Sequence, residues 1–190
     1  MFTSQVRHVL ATTAAFALAL LGFQLAGTTA ASADPVPEAA TVYYCASGYT
    51  SETSQAAGIW NNAVPSLTMT PNCSAASITV AATTGGGSRA YPCGLGCASI
   101  YIDSMDVMAG HNPLRIVAHE IGHGHTLPDN YNGDCAILMS GGSAGTGCTN
   151  PYPSSGEAAA VEQAYQWGFH ADDVTITTSV YDPSLVTVEG

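Results

Sequence analysis

The sequence has no lysine, and its 190 residues hold only three arginines, Arg7, Arg89 and Arg115, against fourteen aspartates and glutamates. A chain so poor in cations repels phosphate backbones and anionic lipid, which excludes nucleic acid and membrane surfaces as partners. It has no glycine-rich phosphate loop, no dinucleotide fingerprint and no internal repeat. Long apolar runs are missing too, with one exception at the start: Val9 to Leu25 is nearly unbroken. Arg7 and His8 precede that run, Thr12, Thr13 and Gln24 interrupt it, and Ala31-Ser32-Ala33 follows with the small-x-small pattern of a cleavage site. Residues 1–33 therefore read as a removed signal peptide rather than a membrane anchor, and the chain as secreted. Losing them also removes Arg7, so the mature chain carries twelve more acidic than basic residues.

All six cysteines, Cys45, Cys73, Cys93, Cys97, Cys135 and Cys148, lie beyond the signal. An even number in an exported chain reads as disulfides. A structural zinc site on Cys93 and Cys97 would need a second close pair of Cys or His, and none is suitably placed. The length suits one domain. Residues 34–40, with Pro35, Pro37 and Glu38, look like a short linker or pro-segment. Residues 41–170 form the domain, and residues 171–190 a tail of unassigned role.

Within the domain, Val42-Tyr43-Tyr44 reads as a strand. Thr50 and Ser51, with Glu52 in the first turn, start a helix whose Ala56, Ile59, Trp60 and Val64 share a face, and Pro65 ends it. Residues 66–80 read as strand, turn at Pro71-Asn72, and strand; Gly85-Gly86-Gly87 as a loop; Cys93 to Cys97 as a tight bridged turn; and Ile100 to Asp103 as strand again. Asn112-Pro113 starts a second helix, with Asn as N-cap and Pro in the first turn. The segment from Asp134 to Pro153, rich in Gly, Ser and Pro, is expected to be irregular. A last helix runs from about Glu157 to Gly168, with Ala158, Val161, Ala164 and Tyr165 on one side. Alternation at Val174, Ile176, Thr178 and Val180 allows one more strand or a mobile tail. Strands first and helices gathered later predict an α+β domain.

The chemistry sits on the second helix, in His119-Glu120-Ile121-Gly122-His123. Two histidines four apart lie on one helical face and can bind one metal ion. At about 100° per residue, Leu114, Val117, Ala118 and Ile121 form a stripe for the core, while His119, Glu120 and His123 face the other way, toward a cleft. Zinc suits two neutral imidazoles plus a carboxylate, with a position left for water whose pKa falls toward ~7, and Glu120 is placed to take its proton. His125 falls within the apolar stripe and reads as a bystander. Asp129 is the favoured third ligand, because Pro128 ends the helix and lets the chain turn back beneath the metal; Glu157 and Glu162 are the fallback.

With Leu127-Pro128-Asp129, Tyr131, Leu138-Met139-Ser140-Gly141, Cys135 and the run Cys148 to Pro153, the sequence resembles the snapalysin family of small secreted neutral metalloproteases, relatives of the metzincins. The resemblance spans about His111 to Phe169 strongly and Thr41 to Gly110 generically. It implies a small metzincin-like zinc protease domain: a twisted mixed sheet with an active-site helix and a C-terminal helix. It further implies zinc on His119, His123 and Asp129, a Met turn supplied by Met139, and a disulfide between Cys135 and Cys148. The implied activity is that of an endopeptidase favouring an aromatic residue just after the scissile bond. Tyr131 is a candidate to steady the oxyanion, weighed evenly against an ordinary surface tyrosine. Among the three pairings left for the other cysteines, Cys93 with Cys97 and Cys45 with Cys73 is preferred.

Two positions depart from the family. It has Gly where this chain has Thr126, so either Thr126 avoids positive φ or the turn is remade with Gly124. Its calcium site draws on an acidic residue near the helix start, where Asn112 stands here; Asp103 and Asp106 are the candidates left for Ca²⁺. The leading expectation is a secreted, monomeric zinc endopeptidase acting on proteins or peptides. A catalytically inactive zinc-binding or interaction module is the alternative, and a metal-dependent amidase a third.

Overall fold

A computed structural model of the chain describes residues 38–167 and 179–182. The expected signal peptide, residues 34–37 of the expected linker, and the alternating Val174, Ile176 and Thr178 lie outside the described residues.

Strand β1 (Ala40–Ala46) runs into helix α1 (Thr50–Ala63) and returns as β2 (Leu67–Pro71), parallel to β1. Strand β3 (Ile78–Thr83) lies parallel on the other side of β1, so the two strands read from residues 66–80 flank β1 instead of pairing with each other. Strands β4 (Arg89–Gly94) and β5 (Cys97–Asp103) form an antiparallel hairpin, with β5 parallel to β3. A two-residue strand, β6 (Ser179–Val180), pairs antiparallel with the outer edge of β4. The sheet order is β2-β1-β3-β5-β4-β6. Helices α2 (Ser104–Met108), α3 (Pro113–Gly124) and α4 (Ser155–Trp167) follow the hairpin, with a 3₁₀ stretch, Leu138–Ala144, inside the segment expected to be irregular. This is the expected twisted mixed sheet with a central helix and a C-terminal helix. Neither β4 nor α2 was read from the sequence.

Period-two burial shows which face of the sheet is covered. In β5, Ala98, Ile100 and Ile102 are buried while Ser99 and Tyr101 are exposed. The buried face meets α1 and α3, which are tied together where Trp60 Nε1 donates to Ala118 O at 3.0 Å. Ala56, Trp60 and Val64 are buried as the helical face required; Ile59 is half-buried, and Thr53 and Ala57 take further inward positions. The start of α1 differs from expectation. Its N-cap is Tyr49 in a left-handed conformation, with no side-chain cap, and the Thr53 hydroxyl donates to Tyr49 O at 2.8 Å.

Three disulfides join Cys45 to Cys73, Cys93 to Cys97 and Cys135 to Cys148, as preferred from the sequence. Each closes a connection at or between elements, which reduces the entropy of the unfolded chain.

The end of α3 corrects both alternatives for Thr126. Thr126 does adopt positive φ, at 73°. Its N–H donates to His123 O at 2.9 Å, and the N–H of Leu127 donates to Gly122 O at 3.1 Å. That pair of bonds is a Schellman ending, whose left-handed residue is usually glycine. Gly124 cannot take over the turn because it still belongs to the helix, where its amide carbonyl accepts from Gly96 N at 2.8 Å. A left-handed β-branched residue costs about 1–2 kcal/mol, while glycine gives back part of that gain through unfolded-state entropy. Thr126→Gly should therefore stabilise the fold by about 1 kcal/mol. Equilibrium denaturation checks this, and a destabilised variant would contradict it.

Candidate metal centre

Helix α3 begins as the sequence predicts, with Asn112 Oδ1 accepting from Arg115 N at 3.0 Å and Pro113 in the first turn. Asn112 thus has a capping role where the resemblance placed a calcium ligand. Asp103 accepts from the N–H groups of Gly85, Gly87 and Met105, and Asp106 from that of Ser88, so both carboxylates hold the glycine loop and the strand that follows it.

The spacing of the two histidines brings their rings together edge to face, with centroids 4.7 Å apart. Each ring is oriented by a backbone carbonyl at Nδ1: Leu138 O lies 3.1 Å from His119, and Leu127 O lies 2.8 Å from His123. A carbonyl can only accept, so each Nδ1 carries the proton and each Nε2 presents a lone pair. The two Nε2 atoms face each other at 3.1 Å, and Asp129 Oδ1 lies 3.2 Å from one and 3.5 Å from the other. Among the described residues these three are the one group of His, Cys, Asp and Glu whose ligand atoms all fall within 4.8 Å of one another. Acceptors converging on one point fit a bound cation, and two neutral imidazoles with one carboxylate are a donor set suited to zinc.

Glu120 lies near enough to His123 and Asp129 to feel the charge of both. It is fully buried, and neither carboxylate oxygen has a hydrogen-bond partner among the described residues. Burial pushes its pKa up to about 8, against a lowering pull from His123. Burial also pushes Asp129 up, but its contacts with His119 and His123 win and hold it well below the usual carboxylate range. The Tyr131 hydroxyl is pushed up by burial and by the Asp129 carboxylate, so it stays protonated and donates to Val180 O.

The fallback ligands are engaged elsewhere. Glu157 accepts from the N–H groups of Leu138, Met139 and Ser154, and Glu162 from the N–H and hydroxyl of Ser66. Met139 is buried beneath α3, so close that a Cβ on Gly122 would lie 2.8 Å from its sulfur. The Cys135–Cys148 bridge closes the loop that carries it. His125 is buried away from the ligand group, between Trp60 and the Tyr165 hydroxyl.

One expectation needs correction. His119 and Glu120 were read as facing an open cleft, yet both are fully buried and His123 nearly so. The 138–142 stretch and Tyr181 cover that face, and the Tyr181 ring lies edge-on to His119 at 5.1 Å. Sequence reasoning also missed Arg115. Its guanidinium is fully buried and donates to Asn150 O, Ile137 O, Leu138 O and the Ser140 hydroxyl. The available signal was a lone cation beside an apolar helical stripe in a chain almost without cations. Nothing local in the sequence marked Tyr181 or Asp182.

The fold thus carries on one helix and the turn after it a His-His-Asp group that could hold a metal ion. Residues 39–168 match the family model described as the Streptomyces extracellular neutral proteinase (M7) family. The extracellular small neutral protease of Streptomyces lividans is 39% identical over 145 residues, covering 74% of this chain and 63% of that protein. That of Streptomyces caespitosus is 35% identical over 123 residues, 65% of this chain and 92% of that protein. The solved structure of myroilysin aligns with a TM-score of 0.45 at 17% identity, over 70% of this chain and 96% of its own. The chain belongs to the M7 family, and it spans 63% of the length of its Streptomyces lividans relative.

If Asp129 is the third ligand, Asp129→Ala should lower zinc affinity more than about 100-fold, while Glu162→Ala leaves it unchanged. Competition against a chromophoric chelator measures both. Full affinity in a folded Asp129→Ala chain would reject the assignment.

Proposed function

We propose that this chain is a secreted zinc-dependent endopeptidase in which His119, His123 and Asp129 hold the metal and Glu120 is the general base. The observation that carries this reading is the pairing of three convergent acceptors with a buried carboxylate that has no hydrogen-bond partner among the described residues. A structural metal site has no use for such a carboxylate, whereas proton transfer requires one. Bound zinc would supply Lewis acidity, polarising the substrate carbonyl and lowering the pKa of water.

The residues of the chain do the rest. Glu120 takes a proton from water as its oxygen adds to the peptide carbonyl carbon, then passes that proton to the amide nitrogen as the C–N bond breaks. With no hydrogen-bond donor committed to it among the described residues, the carboxylate is available for both transfers. The Tyr131 hydroxyl, kept protonated, can donate to the carbonyl oxygen as negative charge grows there. The family resemblance adds the preference for an aromatic residue after the scissile bond.

Secretion rests on the apolar run and cleavage pattern of residues 1–33 and on the extracellular relatives. Among the described residues no helix is long and apolar enough to cross a membrane. Residues 41–170 are the proposed peptidase domain, acting as a monomer on proteins or peptides, with residues 34–40 as a linker or pro-segment.

Glu120→Gln should keep zinc within about twofold of wild type and lower casein hydrolysis by at least about 10³-fold. Metal analysis and a fluorogenic casein digest, with and without a zinc chelator, measure both. Normal turnover by the variant, or wild-type turnover unaffected by complete zinc removal, would overturn the mechanism.

A further inference from the structure

The face of α3 that carries His119 and Glu120 is covered by the chain itself, and the way it is covered is specific. Residues 179–182 run between two walls. On one side Val180 pairs with Arg89 and Ser179 with Ala90, antiparallel to β4, and Tyr181 N donates to Ser88 O at 2.8 Å. On the other side Gly142 N donates to Tyr181 O at 2.7 Å. Strand β4 has β5 on its inner side, so its outer edge is the sheet edge that β6 occupies. Main-chain pairing to a sheet edge, with a side chain seated in a pocket, is how extended peptides are recognised in general.

The side chains agree with the backbone. Tyr181 is 1% exposed, with its ring edge-on to both His119 and His111 at 5.1 and 5.4 Å. Asp182 Oδ2 lies 3.1 Å from His111 Nε2. Gly142 makes room for this passage, because a Cβ there would overlap the Asp182 side chain. One residue before the seated tyrosine, the carbonyl oxygen of Val180 accepts from the Tyr131 hydroxyl. The amide linking Val180 to Tyr181 therefore has its carbonyl on the hydroxyl assigned to steady the oxyanion, and its following side chain packed on a metal ligand. A peptide awaiting hydrolysis needs the same two contacts.

We propose that residues 179–182 are an intramolecular occupant of the substrate cleft, bound in the sense of a peptide substrate with the Val180–Tyr181 amide in the place of the bond to be hydrolysed. The proposal rests on the endopeptidase reading above for the meaning of the cleft. It makes the chain its own competitor: another peptide can pair with β4 and seat a side chain beside His119 only when this segment has left.

The test uses the full chain carrying Glu120→Gln, loaded with zinc, and a fluorescein-labelled peptide reproducing residues 177–184. Binding is followed by anisotropy, with circular dichroism as the check on folding. Adding Tyr181→Ala should tighten peptide binding by about 10-fold or more, and adding Asp182→Ala, which removes the tether to His111, by about threefold, since an occluded site binds in proportion to its open fraction. Equal affinity in parent and variants, or no binding by any of them, would overturn the proposal. If Tyr181→Ala fails to fold, Asp182→Ala decides alone. Casein cleavage by the Glu120 chain alongside equal peptide affinities would overturn the tail assignment and leave the endopeptidase reading standing. Tighter peptide binding by the variants without casein cleavage by any Glu120 chain would do the reverse.

Discussion

The site depends on a buried cation answered by neutral oxygens. Arg115 pairs with no carboxylate among the described residues; its guanidinium is spent on the carbonyls of Ile137, Leu138 and Asn150 and on the Ser140 hydroxyl. A charge taken out of water at this cost is retained only where its hydrogen bonds organise something. Here they hold the 137–140 turn against α3. Leu138 O, one of its acceptors, is also the atom that orients His119 at Nδ1. Glu157 grips the same turn from the other side through the N–H groups of Leu138 and Met139. A cation and an anion thus clamp one turn, and the tautomer of His119 follows from where the turn lies.

His123 is oriented by a different device. Leu127 O reaches His123 because α3 ends in a Schellman turn, and that turn requires positive φ at residue 126. A threonine tolerates it at some cost to stability, which is the usual place to find strain: beside a site that over-determines the backbone. The turn also delivers Asp129 to the two imidazoles. Strain at one residue and clamping at another serve the same geometry, two Nε2 atoms and one carboxylate oxygen aimed at a single point.

What the sequence could reveal divides along locality. The approach of His119 to His123 was legible because helical periodicity is a local property, and that of Asp129 because Pro128 announces the end of the helix before it. The Cys93–Cys97 bridge was legible from its short spacing and the Cys135–Cys148 bridge from family resemblance, which left Cys45 to pair with Cys73. Strand β4 was not, since Pro92 and Gly94 lower its strand propensity; Pro92 lies beyond the two residues that pair with β6, where a missing N–H is tolerated. Tyr49 at the start of α1 was hidden because a left-handed tyrosine has no sequence signature. Arg115, Tyr181 and Asp182 act through partners 22 to 93 positions away, and no window along the chain contains both members of such a pair. For that reason the open cleft expected from the helical wheel became a covered one.

In the proposed site two imidazoles, pinned at Nδ1 by backbone carbonyls, and one carboxylate converge on one zinc ion. X-ray absorption at the zinc edge of the loaded protein tests it most directly. The account predicts a shell of nitrogen and oxygen at about 2.0–2.1 Å, with the outer-shell scattering of two imidazoles and no sulfur. A sulfur shell near about 2.3 Å, or the signature of one imidazole alone, would contradict it.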